Sequence, residues 1–223
     1  MLKIGSVKPY YEDEWVTLYH GDCLKLTDWL SADVLVTDPP YGMRLGSGIG
    51  TYRRGVRSTN ERAVAGDEST DVRDEALGMW GTRPAVVFGT WKIARPGGDL
   101  RHRIIWHKAG MTSGSIRAAV MTQDEEVYLL GSGWRASAPP LMSVITTRES
   151  RSHAVKDHPT PKPLDLMSQL IDRCPPGTIA DPFAGSGSTG VAAKALGRKA
   201  ILVELEERYC EITARRLSQD VLD

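Results

Sequence analysis

One segment constrains this chain more than any other: Ile179-Ala180-Asp181-Pro182-Phe183-Ala184-Gly185-Ser186-Gly187-Ser188-Thr189-Gly190. Its start reads as a short strand, Thr178–Asp181, and the small residues Ser188–Leu196 read as a helix that Gly197 stops. The glycines between them let the backbone turn tightly and approach a ligand, and the helix that follows presents free N–H groups at its start. A further strand, Ala200–Glu204, ends on a carboxylate nineteen residues after Gly185. That is the offset at which an acid grips ribose hydroxyls, so an adenosine-like ligand is implied.

Gly185, Gly187 and Gly190 also satisfy the G-x-G-x-x-G pattern, which suits a nicotinamide dinucleotide equally well. The difference is Asp181-Pro182-Phe183, which puts a carboxylate and an aromatic ring where a pyrophosphate needs bare glycine amides. Such a loop suits a ligand ending in an ammonium group. S-adenosylmethionine has that amino acid tail and no phosphates. An NAD-dependent oxidoreductase stays as the rival from another enzyme class, and a non-catalytic DNA-binding subunit as the reading without turnover.

A second signal is Val36-Thr37-Asp38-Pro39-Pro40-Tyr41-Gly42, at the end of an apolar run. Two prolines stop a strand and fix φ, so Asp38 and Tyr41 are held at its carboxyl end, where ligands lie in open α/β sheets. The lone pair of an exocyclic amine on a nucleobase is drawn into the ring and must be localised before it attacks a methyl sulfonium. The Asp38 carboxylate and the Pro39 carbonyl are pure acceptors that could take the two N–H bonds of such an amine, while Tyr41 offers a face for base stacking.

Along the chain, apolar runs at Val16–Tyr19, Asp33–Thr37, Pro84–Gly89, Ile104–His107, Glu126–Leu130 and Leu141–Thr146 read as strands. Leucines 24, 26 and 30 suggest a short helix, Leu164–Arg173 a longer one behind Pro163, and Glu206–Gln219 a last one supported by Glu211 and Arg215. Strands alternating with helices imply a mostly parallel sheet. Residues 42–71 are rich in Gly, Ser, Arg and Thr without periodicity and read as a long mobile loop. No run approaches the ~20 apolar residues of a membrane span, and Met1 leads into Lys3, Ile4 and Gly5 without a signal core, so a cytoplasmic protein is expected. Neither the three cysteines nor the five histidines show metal spacing.

On these residues the chain resembles the S-adenosylmethionine-dependent DNA amino-methyltransferases, which modify adenine N6 or cytosine N4. In that family an Asp/Asn/Ser-Pro-Pro-aromatic tetrapeptide carries catalysis and an Asp-Pro-Phe-x-Gly-x-Gly loop binds cofactor. With the tetrapeptide Asp38, Pro39, Pro40 and Tyr41 first and the loop at 181–187 last, the order is similar to the permuted beta class. The resemblance implies a doubly wound, mostly parallel, Rossmann-like methyltransferase sheet with helices on both faces, filling residues 1–223 as a single domain.

The resemblance also implies the cofactor site: Asp181, Phe183, Ala184, Gly185, Ser186, Gly187 and Thr189 in the loop, and Glu204 as ribose ligand. In His20-Gly21-Asp22-Cys23-Leu24, Asp22 is a candidate for the adenine amino group, with Cys23 beside it in the same cofactor-side turn. His158-Pro159-Thr160-Pro161-Lys162-Pro163 is similar to the segment beside the methionine end, with Thr160 and Lys162 as candidates. The implied reaction is direct methyl transfer to adenine N6 on a flipped-out base, because an Asp-headed tetrapeptide is more usual for adenine and a Ser-headed one for cytosine N4. Double-stranded DNA is the implied partner, and a second copy of the chain and a cognate restriction endonuclease are further partners the resemblance allows. Residues 109–157, where the family places target-recognition elements, form a reduced region here.

Net charge sharpens this. Lys plus Arg and Asp plus Glu are 28 each, but residues 1–41 carry 3 basic and 7 acidic side chains, 42–163 carry 18 and 12, and 164–223 carry 7 and 9. The acids fall on the cofactor-side ends and the cationic excess on the middle, so phosphate contacts are expected there, few in number.

Overall fold

The computed structural model describes residues 7–40, 52–53, 56–57, 69–110, 120–134, 140–148 and 161–219. Nine strands form one sheet: β1 (Tyr11–Glu12), β2 (Val16–His20), β3 (Val34–Thr37), β6 (Ala85–Gly89), β7 (Leu100–Ala109), β8 (Asp124–Leu130), β9 (Val144–Arg148), β10 (Ile179–Asp181) and β11 (Ala200–Glu204). Two further strands, β4 (Tyr52–Arg53) and β5 (Val56–Arg57), pair only with each other. The sheet order is β1-β2-β11-β10-β3-β6-β8-β7-β9.

From β2 to β6 every pairing is parallel. β8 runs antiparallel between β6 and β7, β9 returns to parallel pairing with β7, and β1 is an antiparallel edge. The expected mostly parallel sheet is therefore present, with two reversed strands.

Four helices cover the sheet: α1 (Asp71–Trp80), α2 (Leu164–Asp172), α3 (Ser188–Ala195) and α4 (Glu207–Ser218). The central strands are near-continuous apolar runs because both of their faces are covered. On one face Val34, Val36, Val86, Phe88 and Leu202 pack against Leu166, Leu170 and Ile171 of α2, Ala192 and Ala193 of α3, and Leu217 of α4. Alternate residues Leu35, Ala85, Val87 and Val203 pack on the other face against Trp29, Ala76 and Trp80. Helices thus lie on both faces, as expected.

One expectation needs correction, and two others fall in part outside the described residues. The leucines at 24, 26 and 30 do not make an α-helix. The Asp22 carboxylate accepts the Leu24 N–H, the Asp22 carbonyl accepts those of Lys25 and Leu26, and the chain then enters a single 3₁₀ turn, Asp28–Ser31. The Trp29 indole locks that turn by donating to the Cys23 carbonyl at 2.9 Å. Second, within residues 42–71 the described parts are the β4–β5 pair, Ser69–Thr70 and Asp71, where α1 begins; the rest of that reading lies outside the described residues. Third, within 109–157 the described residues include the strands β8 and β9, and the remainder of the reading of a reduced recognition region also lies outside them. No helix among the described residues is long and apolar enough to cross a membrane.

Candidate functional site

The parallel strands deliver their carboxyl ends to one edge of the sheet, and the acids picked out by sequence are all found there. β2 ends at His20, two residues before Asp22, β3 at Thr37 before Asp38, β10 at Asp181 and β11 at Glu204. β10 sits between β11 and β3, so its turn opens at the centre of the edge, where ligands lie in open α/β sheets.

The loop after β10 is built around Asp181, which is 2% exposed. Its carboxylate accepts from Thr37 Oγ1 at 2.7 Å, from Thr189 Oγ1 at 2.6 Å and from the Phe183 N–H at 3.1 Å. Burial pushes this carboxyl up to about 6 despite those donors. Asp181 and Thr189 therefore tie the loop together from within, where the sequence suggested a carboxylate turned toward a ligand's ammonium group. Ala184 and Ser186 are also buried, and Phe183 packs partly buried on the α1 face of the sheet.

Gly187 has φ +76°, which an L side chain rarely adopts, and a Cβ there would lie 2.5 Å from Thr213 Cγ2. α4 supports the loop from behind: Thr213 Oγ1 donates to the Gly185 carbonyl at 3.0 Å, and the largely buried Arg216 guanidinium reaches the Ser186 carbonyl and, at 3.2 Å, its hydroxyl. Neither residue stands out in the sequence, where both read as ordinary helix positions.

Glu204 holds the same loop from β11. Its Oε2 accepts the Gly185 N–H at 2.7 Å and its Oε1 the Glu206 N–H at 2.8 Å, and burial raises its carboxyl to about 7. The nineteen-residue offset read from sequence is thus a direct contact. Asp22 is half-buried, accepts the Leu24 N–H at 3.0 Å and pairs with Lys25 at 3.1 Å; the backbone N–H first among the causes, those partners hold its carboxyl below the usual range. Cys23 is 5% exposed, and burial pushes its thiol up to about 12. Cys174 and Cys210 are buried as well, with thiols likewise at about 12, which suits packing rather than nucleophilic attack.

Asp38 and Pro40 are partly exposed, and Pro39 is buried between them. Asp38 Oδ2 lies 2.5 Å from Lys162 Nζ, which is also 3.2 Å from Glu125 Oε2. The structure therefore places Lys162 on the tetrapeptide, a position the methionine-end reading did not anticipate. Tyr41, Thr160 and His158 lie outside the described residues. Among the described residues no cluster of His, Cys, Asp and Glu could hold a metal ion. A concavity of about 500 Å³ lined by Cys174, Gly177 and Arg198 lies at the amino ends of β10 and β11, away from all these groups.

A parallel sheet with one reversed strand set between β6 and β7, a glycine loop opening at its centre and acids along one edge defines a Rossmann-like methyltransferase architecture. Residues 91–215, more than half of the chain, match the DNA methylase family N6_N4_Mtase, and the chain belongs to that family. Among relatives, YubD of Escherichia coli (strain K12) is 30% identical, with 89% of this chain and 88% of that protein covered. The Type II methyltransferase M2.LlaDCHI of Lactococcus lactis subsp. cremoris is 27% identical, with 97% and 96% covered. Among solved structures, the PvuII DNA methyltransferase, described as cytosine-N4-specific, superposes with a TM-score of 0.67 at 20% identity, covering 97% of this chain and 91% of that one.

Proposed function

We infer that this protein methylates the exocyclic N6 amino group of adenine in double-stranded DNA, with S-adenosylmethionine as methyl donor. The observation that carries the reading is the bond from Thr37 Oγ1 to Asp181 Oδ1, which sets the tetrapeptide beginning at Asp38 directly against the glycine loop. A base acceptor site and a cofactor site are thereby adjacent on one sheet edge.

The residues present fit S-adenosylmethionine. Gly185 and Gly187 both take positive φ, +53° and +76°, which lets the turn present backbone to a ligand, and Glu204 ends β11 beside it as a carboxylate suited to ribose hydroxyls. Asp22 stands at the end of the next strand over, β2, in reach of the adenine-binding role the sequence suggests. Bound there, the cofactor supplies an electrophilic methyl group on a sulfonium. The protein's part is to hold the target amine: the Asp38 carboxylate and the Pro39 carbonyl accept its two N–H bonds, so its lone pair turns out of the ring and toward the methyl group. As that lone pair takes up the methyl group, the Asp38 carboxylate, already accepting one N–H, is the group placed to take the surplus proton. Catalysis of this kind is mainly positioning and placement of charge, and the base must leave the duplex to reach Asp38.

Adenine is favoured over cytosine by the Asp that heads the tetrapeptide. The test is to incubate unmethylated genomic DNA with the purified protein and S-adenosylmethionine, digest it to nucleosides and identify the methylated one by mass. N6-methyldeoxyadenosine is expected. N4-methyldeoxycytidine alone would overturn the choice of base, and absence of any methylated nucleoside would overturn the reading as a whole.

A further inference from the structure

A charged cluster lies behind Asp38 that neither the target amine nor the cofactor needs for contact. Lys162 Nζ sits between Asp38 Oδ2 at 2.5 Å and Glu125 Oε2 at 3.2 Å, its side chain 9% exposed. Lys108 closes the far side on Glu125 Oε1. Four separate pieces of chain meet here: the turn after β3, the start of β8, the end of β7 and the segment that leads into α2.

Aromatic rings line the cluster. Lys162 Nζ is 4.9 Å from the Phe88 ring centroid and 5.8 Å from that of Trp106, and Lys108 Nζ is 4.5 Å from the Trp106 ring. Charges alternate from Asp38 through Lys162 and Glu125 to Lys108, so each partly buried charge has an opposite neighbour, and the ring faces favour the ammonium groups further. Burial works against the charge on Lys162, but Asp38 and Glu125 outweigh it and raise its pKa. Burial likewise pushes Glu125 up, but Lys162 and Lys108 outweigh it and hold that carboxyl below its ordinary range.

We propose that Lys162 and Glu125 are positioning residues for Asp38: Lys162 fixes the direction of the Asp38 carboxylate, and Glu125 fixes Lys162. This rests on the role given to Asp38 under Proposed function. Two acceptors can hold a planar amine against its conjugation only if both are aimed. An ammonium at 2.5 Å helps to fix the direction of the Asp38 carboxylate. Glu125 Oε2 is buried and holds the Lys162 ammonium from its other side, so Lys162 stays on Asp38 Oδ2 while the amine of the target base takes the other carboxylate oxygen.

The assignment separates Lys162 from a cofactor ligand. Lys162→Met and Glu125→Gln are compared with wild type for turnover on DNA, for KM and for S-adenosylmethionine affinity by calorimetry. Lys162→Met is expected to lower kcat roughly 100-fold and Glu125→Gln about tenfold, as loss of aim does, with KM for DNA and cofactor affinity within about threefold of wild type. Lys162→Arg, which keeps the charge, is expected to recover part of kcat. Unchanged kcat, or a loss of cofactor affinity that matches the loss of turnover, would overturn the assignment.

A second measurement needs no activity. In 15N-lysine-labelled protein the Lys162 ammonium is expected to be protected from exchange and its Nζ resonance to move in both Asp38→Asn and Glu125→Gln. A resonance indifferent to Asp38→Asn overturns the proposal even if DNA is methylated. If wild type methylates no DNA but the resonance responds, the functional reading fails and the pairing stands.

Discussion

Thr37 Oγ1 donates to Asp181 Oδ1 across 2.7 Å, between residues 144 positions apart and both almost fully buried. Each ends a parallel strand, and each immediately precedes a segment with chemistry: Asp38-Pro39-Pro40 on one side and Pro182 to Gly187 on the other. A single hydroxyl, beside the β3–β10 pairing, thus ties the segment proposed to hold a base to the loop proposed to hold a methyl donor. Because Asp181 is desolvated, that hydroxyl also meets part of the cost of keeping a carboxylate there.

Thr37→Val keeps the shape and removes the donor. It should destabilise the protein by about 1–3 kcal/mol, the usual result of stripping a buried acceptor, and lower turnover and cofactor affinity together, since both segments lose their shared anchor. Asp38→Ala should differ in kind: turnover falls at least 100-fold, the scale of losing a placed electrostatic group, while calorimetry shows cofactor affinity nearly unchanged. Equal effects of the two variants on cofactor binding would show that the segments are not coupled in this way.

Stability should fall as pH rises from about 4 to about 7 in the ligand-free protein. Burial raises Asp181 to about 6 and Glu204 to about 7, whereas in an unfolded chain the two titrate near their ordinary values of 3.8 and 4.5. In that window the folded state keeps protons the unfolded state has released, so ionisation favours unfolding. The loss is on the order of 3 kcal/mol for each group, about 6 kcal/mol together, which for a chain of this length is roughly 12–24 °C in Tm. Asp13 works in the opposite sense and elsewhere: despite burial, Lys194 and neighbouring N–H groups hold it at about 2, so its contribution is lost only in stronger acid. Thermal unfolding at pH 5 and pH 8 tests this, and Glu204→Gln should flatten the difference. A Tm that is constant or rises between those values would contradict it.

Much of this was legible from residue order, for reasons that differ by element. Val34–Thr37 and Ala200–Glu204 are apolar or β-branched runs too short for helices and buried on both faces, so pattern and position agreed. The helix α1 was not, because Asp71–Trp80 buries only Arg73, Ala76 and Trp80 and its charged residues resemble the sequence before it. Leucines 24, 26 and 30 misled because an Asx turn at Asp22 overrides their spacing. At the site, Asp38, Gly185, Gly187 and Glu204 announce themselves through local chemistry. Glu125 does not: flanked by Asp124 and Glu126, it reads as part of a solvated acid run, and only the reversed course of β8 brings it beside Lys162. Thr213 and Arg216 are hidden for the same reason, their work being contact across the fold.

Gly187→Ala should cost stability and cofactor affinity at once. The left-handed φ of +76° alone costs about 1–2 kcal/mol for a residue with a Cβ, and that Cβ would also lie 2.5 Å from Thr213 Cγ2 and 2.8 Å from Oγ1. Thr213 must then move and give up its bond to the Gly185 carbonyl, loosening the turn that faces the ligand. Gly197→Ala is the control, with φ +64° and nothing within 4 Å of the added carbon. It should show the backbone cost without a change in cofactor affinity. Urea unfolding and calorimetry read both; equal behaviour of the two variants would remove Thr213 from the account.

Trp91 is 64% exposed just beyond β6, whose strand neighbour β3 leads into Asp38. An indole presented to water two residues past the carboxyl end of β6 is costly unless it meets something, and a nucleobase left behind by the proposed flipping offers a flat apolar face. Its loop is fixed in place: Arg73, 2% exposed, donates from α1 to the Ala94 carbonyl at 3.0 Å. Lys92 Nζ lies 5.9 Å from the indole centroid and adds a cation beside it. With a formal net charge of zero, the chain can neutralise few phosphates, so stacking should carry an unusual share of DNA affinity. Trp91→Ala is therefore expected to weaken duplex binding about tenfold to 100-fold, the range for loss of one aromatic–base stack, with cofactor affinity unchanged. Trp91→Phe should keep part of it, and Lys92→Ala should lower the salt dependence by about one phosphate contact. Fluorescence anisotropy with a labelled duplex at low and moderate salt measures all three; undiminished binding by Trp91→Ala would exclude the indole from the DNA interface.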